Sequence, residues 1–204
     1  MRGMVLLLRH GRIPQVSPRR FVGQTDPPLD NVGRAQAEAV RRRLEDTPLA
    51  RVVSSDLRRA LDTAAIVCRG REMRIEPEPA LREICLGAWE GLTVDEVRAR
   101  FPGAYEARGQ DMAHARPEGG ESFADLDARA WPVFARVART AHAAGATLVV
   151  AHAGVNRVLL CHALGMPLAH LFRLGQDYCC LNVIQPAHHG FVLHGLNQLQ
   201  EESP

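Results

Sequence analysis

The sequence predicts an α/β fold: a three-layer sandwich with a mostly parallel central sheet and helices on both faces. Three observations lead to it. Val5-Leu6-Leu7-Leu8 is a short apolar run with no polar alternation, the pattern of a strand covered on both faces. Two further strand-like runs, Arg51-Val52-Val53-Ser54 and Thr147-Leu148-Val149-Val150-Ala151, are separated from it and from each other by helical patterns. Such alternation gives parallel strands joined by helical crossovers. The chain has 204 residues, 46% of them hydrophobic, which suits a single domain over residues 1–204 with a buried core.

The elements follow in order. Residues 12–29 form a loop rich in Pro and Arg. Asp30 or Asn31 can cap a helix whose charged face holds Arg34, Glu38, Arg41, Arg42 and Glu45. The second strand leads to a helix capped by Asp56 and ending near Cys68. Residues 73–78 read as a short edge strand, given Pro77 and Pro79. Thr93 with Glu96 three residues on is a capping box, and the helix it opens stops at Pro102. Residues 103–120 read as a polar loop. The whole stretch 86–120 is the least regular part of the chain and is expected to lie over the active site as a cap-like insert. Ser122 and Asp125 open a long helix to about Ala144, which Pro132 should kink or divide. The third strand is followed by a helix over residues 155–164 and a short one after Pro167. Residues 179–185 and 191–196 read as two last strands.

Composition excludes several chemistries. All 25 basic residues are Arg, so a lysine Schiff base, a P-loop lysine and a kinase-type lysine are ruled out. Anions must be held by guanidinium groups, backbone amides or His. The balance of 25 basic against 23 acidic residues argues against nucleic acid as a partner. The longest apolar runs fall far short of the ~20 residues that span a bilayer. The cysteines, Cys68, Cys85, Cys161, Cys179 and Cys180, are odd in number and lack CxxC spacing. No signal peptide precedes the first strand, so a reducing cytoplasm is expected rather than a disulfide framework. His188, His189 and His194 lack metal-site spacing, and no metal is expected.

The chemistry-bearing residues gather at strand ends. Arg9-His10-Gly11 closes the first strand, residues 55–59 follow the second, and His152-Ala153-Gly154 closes the third. Open α/β sheets bind ligands at that edge. Two histidines and two or three arginines therefore meet in space. Guanidinium forks match phosphate or carboxylate oxygens, and a neutral imidazole is a competent nucleophile at phosphorus. A proton donor for the leaving oxygen is still needed, and Glu83 is the acidic candidate.

Leu7-Leu8-Arg9-His10-Gly11 resembles the signature of the histidine phosphatase superfamily, which includes the cofactor-dependent phosphoglycerate mutases. Four further blocks occur in the family order: residues 54–60 with Thr63-Ala64, Leu81-Arg82-Glu83 with Gly87-Ala88-Trp89-Glu90-Gly91, Gly119-Gly120-Glu121-Ser122, and residues 149–154. The resemblance implies that His10 is the nucleophile that becomes phosphohistidine. It makes Arg9, Arg59 and His152 the rest of the phosphate pocket, and Glu83 the general acid and then the base that activates water. It implies a phosphoglycerate mutase-like fold and no metal or other cofactor. Arg59 rather than Arg58 matches the motif, since it directly precedes Ala60.

The chain also departs from the pattern. Ile13 and Val16 stand where the family usually has a small hydroxyl residue and Asn, so two polar contacts are lost. Gly23-Gln24-Thr25-Asp26 matches a later segment, in which Gln24 or Thr25 is expected to touch substrate. Arg12 either contacts phosphate or faces solvent, and Arg19, Arg20, Arg98, Arg100, Arg108 and Arg116 are candidates for the entrance. The expected activity is hydrolysis of a small anionic phosphate ester through phosphohistidine. The alternatives are mutase-type phosphoryl transfer, or a catalytically weak anion-binding scaffold. Residues 172–179 faintly resemble α-ribazole phosphatases. The C-terminal strands offer a contact for a homodimer.

Overall fold

The computed structural model describes residues 3–140 and 144–199. The first apolar run is β1 (Val5–Arg9), one of two central strands of a six-stranded sheet. Its central neighbour is β4 (Ala146–Ala151), and beyond β4 lie β2 (Leu49–Ser54) and β3 (Ile75–Pro77) at the edge. These four strands are mutually parallel, with Leu6 beside Leu148 and Leu148 beside Val52. On the other side of β1, β5 (Leu181–Ala187) and β6 (Gly190–Gln198) add an antiparallel hairpin. The sheet is mixed and mostly parallel, as the sequence predicts. β6 is a sheet edge and leaves Val192 and Leu196 exposed.

Alternation along the central strands feeds two cores. Leu6, Leu8, Val52, Leu148 and Val150 point to one face, where α1 (Asn31–Arg43) and α2 (Arg58–Val67) cover them with Ala37, Val40, Ala60, Ala64 and Val67. Val5, Leu7, Val53, Val149 and Ala151 point to the other, against α5 (Phe123–Arg139) and α6 (Ala153–Leu164). Full burial of each large aliphatic side chain is worth about 1.5–3 kcal/mol, so the sheet centre is the stability reservoir on which the loops rest.

Several helix ends form as expected. Asp30 caps α1 by accepting from the Gly33 amide. Reciprocal capping boxes open α3 (Val94–Arg100) through Thr93 and Glu96, and α5 through Ser122 and Asp125. Other expectations fail for identifiable reasons. Asp56 does not cap α2; the N-cap is Leu57, and the Asp56 carboxylate takes two bonds from the Arg82 guanidinium instead. The loop expected over residues 103–120 contains a further helix, α4 (Ala104–Gln110), hidden by its polar, glycine-containing sequence. Pro132 does not divide α5, because Pro132 and Ala128 are exposed on the same face and water can satisfy the carbonyl that Pro132 leaves free. That helix ends at Arg139, and residues 141–143 of its expected extent lie outside the described residues. Cys179 and Cys180 precede β5 rather than belonging to it, and Cys179 adopts φ 55°.

Ser122 is 1% exposed and its hydroxyl holds both the Asp125 amide and the Asp125 carboxylate. Ser122→Ala should lower unfolding stability by about 1 kcal/mol, read as a shift in urea midpoint with an unchanged slope. No shift would mean that the cap contributes nothing to α5.

Candidate active site

Because β1, β2 and β4 run parallel, their carboxyl ends present His10, Ser55 and His152 at one edge of the sheet. The rings of His10 and His152 are 5.0 Å apart. Arg59 enters from the first turn of α2, and Arg9 comes from the last residue of β1. Arg9, His10, Arg59 and Glu83 line one cleft of about 530 Å³. His152 lies behind His10, with no exposed surface.

The bonds around His10 fix its tautomer. Its Nδ1 is 2.7 Å from the Gly11 carbonyl, which can only accept, so Nδ1 carries the proton and Nε2 carries the lone pair. Burial, and then the positive charges of Arg9 and Arg59, push its pKa well below 6.5, outweighing the Gly11 bond that raises it. The ring is therefore neutral through the ordinary imidazole range. His152 is held low in the same way, by burial first and then by Arg59 and His10. Its Nε2 shares a 2.8 Å hydrogen bond with Ser55 Oγ, and its Nδ1 has no partner among the described residues.

Both arginines are only partly satisfied. Arg59 is 1% exposed and donates to the Thr25 and Gly23 carbonyls at 2.7 and 2.9 Å, with Asp26 at 3.7 Å. Arg9 donates to the Gln176 carbonyl at 2.6 Å and lies 3.7 Å over the Tyr178 ring. In each case Nε is buried without a partner among the described residues. Arg58 is exposed and faces Asp62 instead.

Glu83 is held from two sides. Its carboxylate accepts from the Ile84 amide at 2.9 Å and from the Gly154 amide, in the first turn of α6, at 3.1 Å. Gly154 makes this approach possible, since a Cβ there would lie 2.4 Å from Glu83 Oε1. The Glu83 backbone carbonyl accepts from Gln24 Nε2 and from Arg129, each at 3.0 Å. Gln24 thus braces the Glu83 loop and does not line the cleft. Arg12 likewise stays outside the cleft, paired with Asp30 at 2.8 Å.

The brace from Arg129 escapes sequence reasoning. Its guanidinium forks onto Glu121 at 2.7 and 2.9 Å and also reaches the Ala80 carbonyl. Glu121 in turn accepts from the Cys85 amide. Burial raises the Glu121 pKa, but the Arg129 and Cys85 bonds outweigh it and hold the carboxyl below 4.5. A Glu eight residues before an Arg, across a helix start, is the only signal in the sequence. Under Arg9, a buried amide network fixes the segment before β5: Asn182 bonds Gln176 and the Leu7 carbonyl, and Asn156 bonds Gln176. Burial pushes the thiols of Cys179 and Cys180 up to about 12 and about 11, which removes them as nucleophiles at neutral pH.

Ile13 and Val16 both line the cleft, with Phe21, Leu86, Val94, Tyr105, Phe172 and Tyr178. Of the arginines proposed for the entrance, only Arg19 and Arg20 reach it; Arg98 pairs with Glu106 and Arg116 with Asp125. No cluster of three or more His, Cys, Asp or Glu side chains arranged to hold a metal occurs among the described residues. No described helix is long and apolar enough to cross a membrane.

A family model for the histidine phosphatase superfamily (branch 1) matches residues 5–199. The chain belongs to the histidine phosphatase superfamily. It is 37% identical over 178 residues to the glucosyl-3-phosphoglycerate phosphatase of Mycobacterium tuberculosis (strain CDC 1551 / Oshkosh), covering 84% of this chain and 79% of the relative. It is 29% identical to the adenosylcobalamin/alpha-ribazole phosphatase of Escherichia coli (strain K12), covering 87% of each. Among solved structures, the alpha-ribazole phosphatase from Shigella flexneri matches with a TM-score of 0.88 at 28% identity over 96% of each chain. The mycobacterial glucosyl-3-phosphoglycerate phosphatase in complex with VO3 matches with a TM-score of 0.83 at 33% identity, over 95% of this chain and 98% of that one. These named relatives of the superfamily domain are phosphatases.

Arg129→Met removes the Glu121 fork and the brace on the Glu83 carbonyl. It should cost about 1–3 kcal/mol at pH 7, given the partial exposure of the pair. The Glu121 pKa is depressed on folding, so its contribution is complete above 4.5 and is lost as pH falls through the lower folded value. Urea unfolding should find the gap between wild type and variant narrowing from pH 7 to about pH 3. A gap that stays constant over that range would contradict the assignment.

Proposed function

We propose that the chain is a metal-independent phosphomonoesterase that works through a phosphohistidine on His10. In the first step His10 Nε2 attacks phosphorus, the ester P–O bond breaks, and the Glu83 carboxyl gives its proton to the leaving alcohol. In the second, water attacks the phosphohistidine, the P–N bond breaks, and the Glu83 carboxylate takes the water's proton. Arg9, Arg59 and His152 are the binding residues for the phosphoryl oxygens, and most of the rate comes from position and charge complementarity.

The observation that carries this reading is a set of unpaired buried nitrogens. Arg9 Nε, Arg59 Nε and a His152 ring nitrogen are buried without partners among the described residues, around an imidazole whose other nitrogen is committed to the Gly11 carbonyl. Buried polar groups are ordinarily paired, and a tetrahedral oxyanion supplies the acceptors these need. Positive charge for the phosphoryl oxygens comes from the two guanidiniums that act on His10. Gln24 enters as a positioning residue for the Glu83 loop. Residues 86–120 act as a cap, since Leu86, Val94 and Tyr105 line the cleft above the charged floor. Five free thiols and a near-neutral charge balance fit a cytoplasmic enzyme acting on a small molecule.

The test is release of inorganic phosphate from a panel of monoesters in excess EDTA. Wild type should turn over, and His10→Ala should lose at least about three orders of magnitude. Turnover by His10→Ala close to wild type would remove the mechanism. Glu83→Gln should slow alkyl esters much more than aryl esters, because only poor leaving groups need protonation. Equal losses on both would assign the acid to another group.

A further inference from the structure

The charged groups of the cleft are Arg9, Arg59 and Glu83 at its floor, beside the neutral His10, and Arg19 and Arg20 at its entrance. Above Arg9, His10, Arg59 and Glu83 its walls come from Ile13, Val16 and Phe21 of the 12–29 loop, Leu86 and Val94 of the 86–120 insert, and Phe172. Val16 and Phe172, at 59% and 58%, are the two most exposed large hydrophobic side chains among the described residues, and both face this cleft. Open apolar surface gathered in one concavity marks a binding wall rather than incidental exposure.

Polar groups on the walls are few and mostly occupied. Gln15 Nε2 bonds the Ile13 carbonyl and the Tyr178 hydroxyl. Arg20 is held by the Gly91 carbonyl and Glu96. Among the described residues, the side-chain groups left open are the Arg19 guanidinium, the Tyr105 hydroxyl, Gln15 Oε1 and the proton of the Tyr178 hydroxyl, a small set beside the apolar lining. A polyhydroxylated alcohol would need a partner for each hydroxyl it brings out of water, and walls made mostly of aliphatic and aromatic side chains offer few. An aliphatic or aromatic alcohol would need none.

We propose that the leaving alcohol of the physiological ester is an apolar group, aliphatic or aromatic, seated between the 12–29 loop, the insert and Phe172, and not a sugar or glycerate. This rests on the phosphomonoesterase reading of the floor. It also gives Ile13 and Val16 a role, since both side chains form apolar wall.

The experiment measures kcat/KM for ethyl, propyl, butyl and hexyl phosphate, whose alcohols have nearly equal acidity, so that protonation by Glu83 is held constant. Glycerol 3-phosphate and glucose 6-phosphate are run beside them, with Val16→Ser, Phe172→Ser and His10→Ala. In wild type kcat/KM should rise up to about fourfold per methylene, the factor set by transfer of one CH₂ out of water. Hexyl phosphate should exceed both polyol esters by about 10–100-fold. The two serine variants change exposed side chains, should fold, and should flatten the rise. A flat series, a preference for polyol esters, or a rise untouched by both serine variants overturns the inference. If that turnover still depends on His10, the phosphatase reading stands. If no ester is hydrolysed at all, that reading fails and the inference falls with it.

Discussion

Arg59 carries a charge that folding takes almost wholly out of water, and the loop around it is arranged by that cost. An unpaired buried guanidinium is unfavourable by several kcal/mol unless its donors are satisfied. The backbone carbonyls of Gly23 and Thr25 meet two of them, which holds the 12–29 loop against the first turn of α2. Arg9 imposes the same demand on the other side, met by the Gln176 carbonyl and the Tyr178 ring. Carbonyls rather than carboxylates do this close work, so the positive field survives. That field, added to burial, keeps His10 and His152 neutral.

The same field explains where Glu83 sits. A carboxylate placed between the two guanidiniums would neutralise the floor. Glu83 is instead drawn to the Gly154 amide at the positive end of α6 and to the Ile84 amide. Its backbone is then clamped from behind by Gln24 and Arg129. Glu83 and His10, the proposed acid and nucleophile, come from segments far apart in sequence, and each is placed by a different element of the sheet edge. The floor is positively charged by Arg9 and Arg59, while Ile13, Val16 and Phe172 present apolar surface on the walls.

How much of this is legible in the sequence depends on the range of the interaction involved. Val5-Leu6-Leu7-Leu8 and residues 147–151 read correctly as buried central strands, because strand burial is written in local composition. Asp30, Thr93 and Ser122 read correctly as caps for the same reason. Asp56 misleads because Arg82, 26 residues away, competes for its carboxylate. Pro132 leaves α5 undivided because helix breaking depends on whether the freed carbonyl meets water, which only the fold decides. Helix α4 is missed because its polar, glycine-bearing sequence has no apolar stripe to read. In the site, the motif residues place Arg9, His10 and His152 at strand ends. The Arg129–Glu121 brace and the Gln176–Asn182 network are long-range polar contacts without periodicity, so sequence pattern does not reveal them.

The central claim is that His10 Nε2 takes the phosphoryl group. A rapid-quench experiment with a ³²P-labelled aryl phosphate, followed by peptide mapping, tests it most directly. The account predicts a burst of protein-bound label on the peptide containing His10, lost in acid and retained in base, that decays as inorganic phosphate appears. Label on another residue, or steady turnover with no protein-bound label at any quench time, would contradict it.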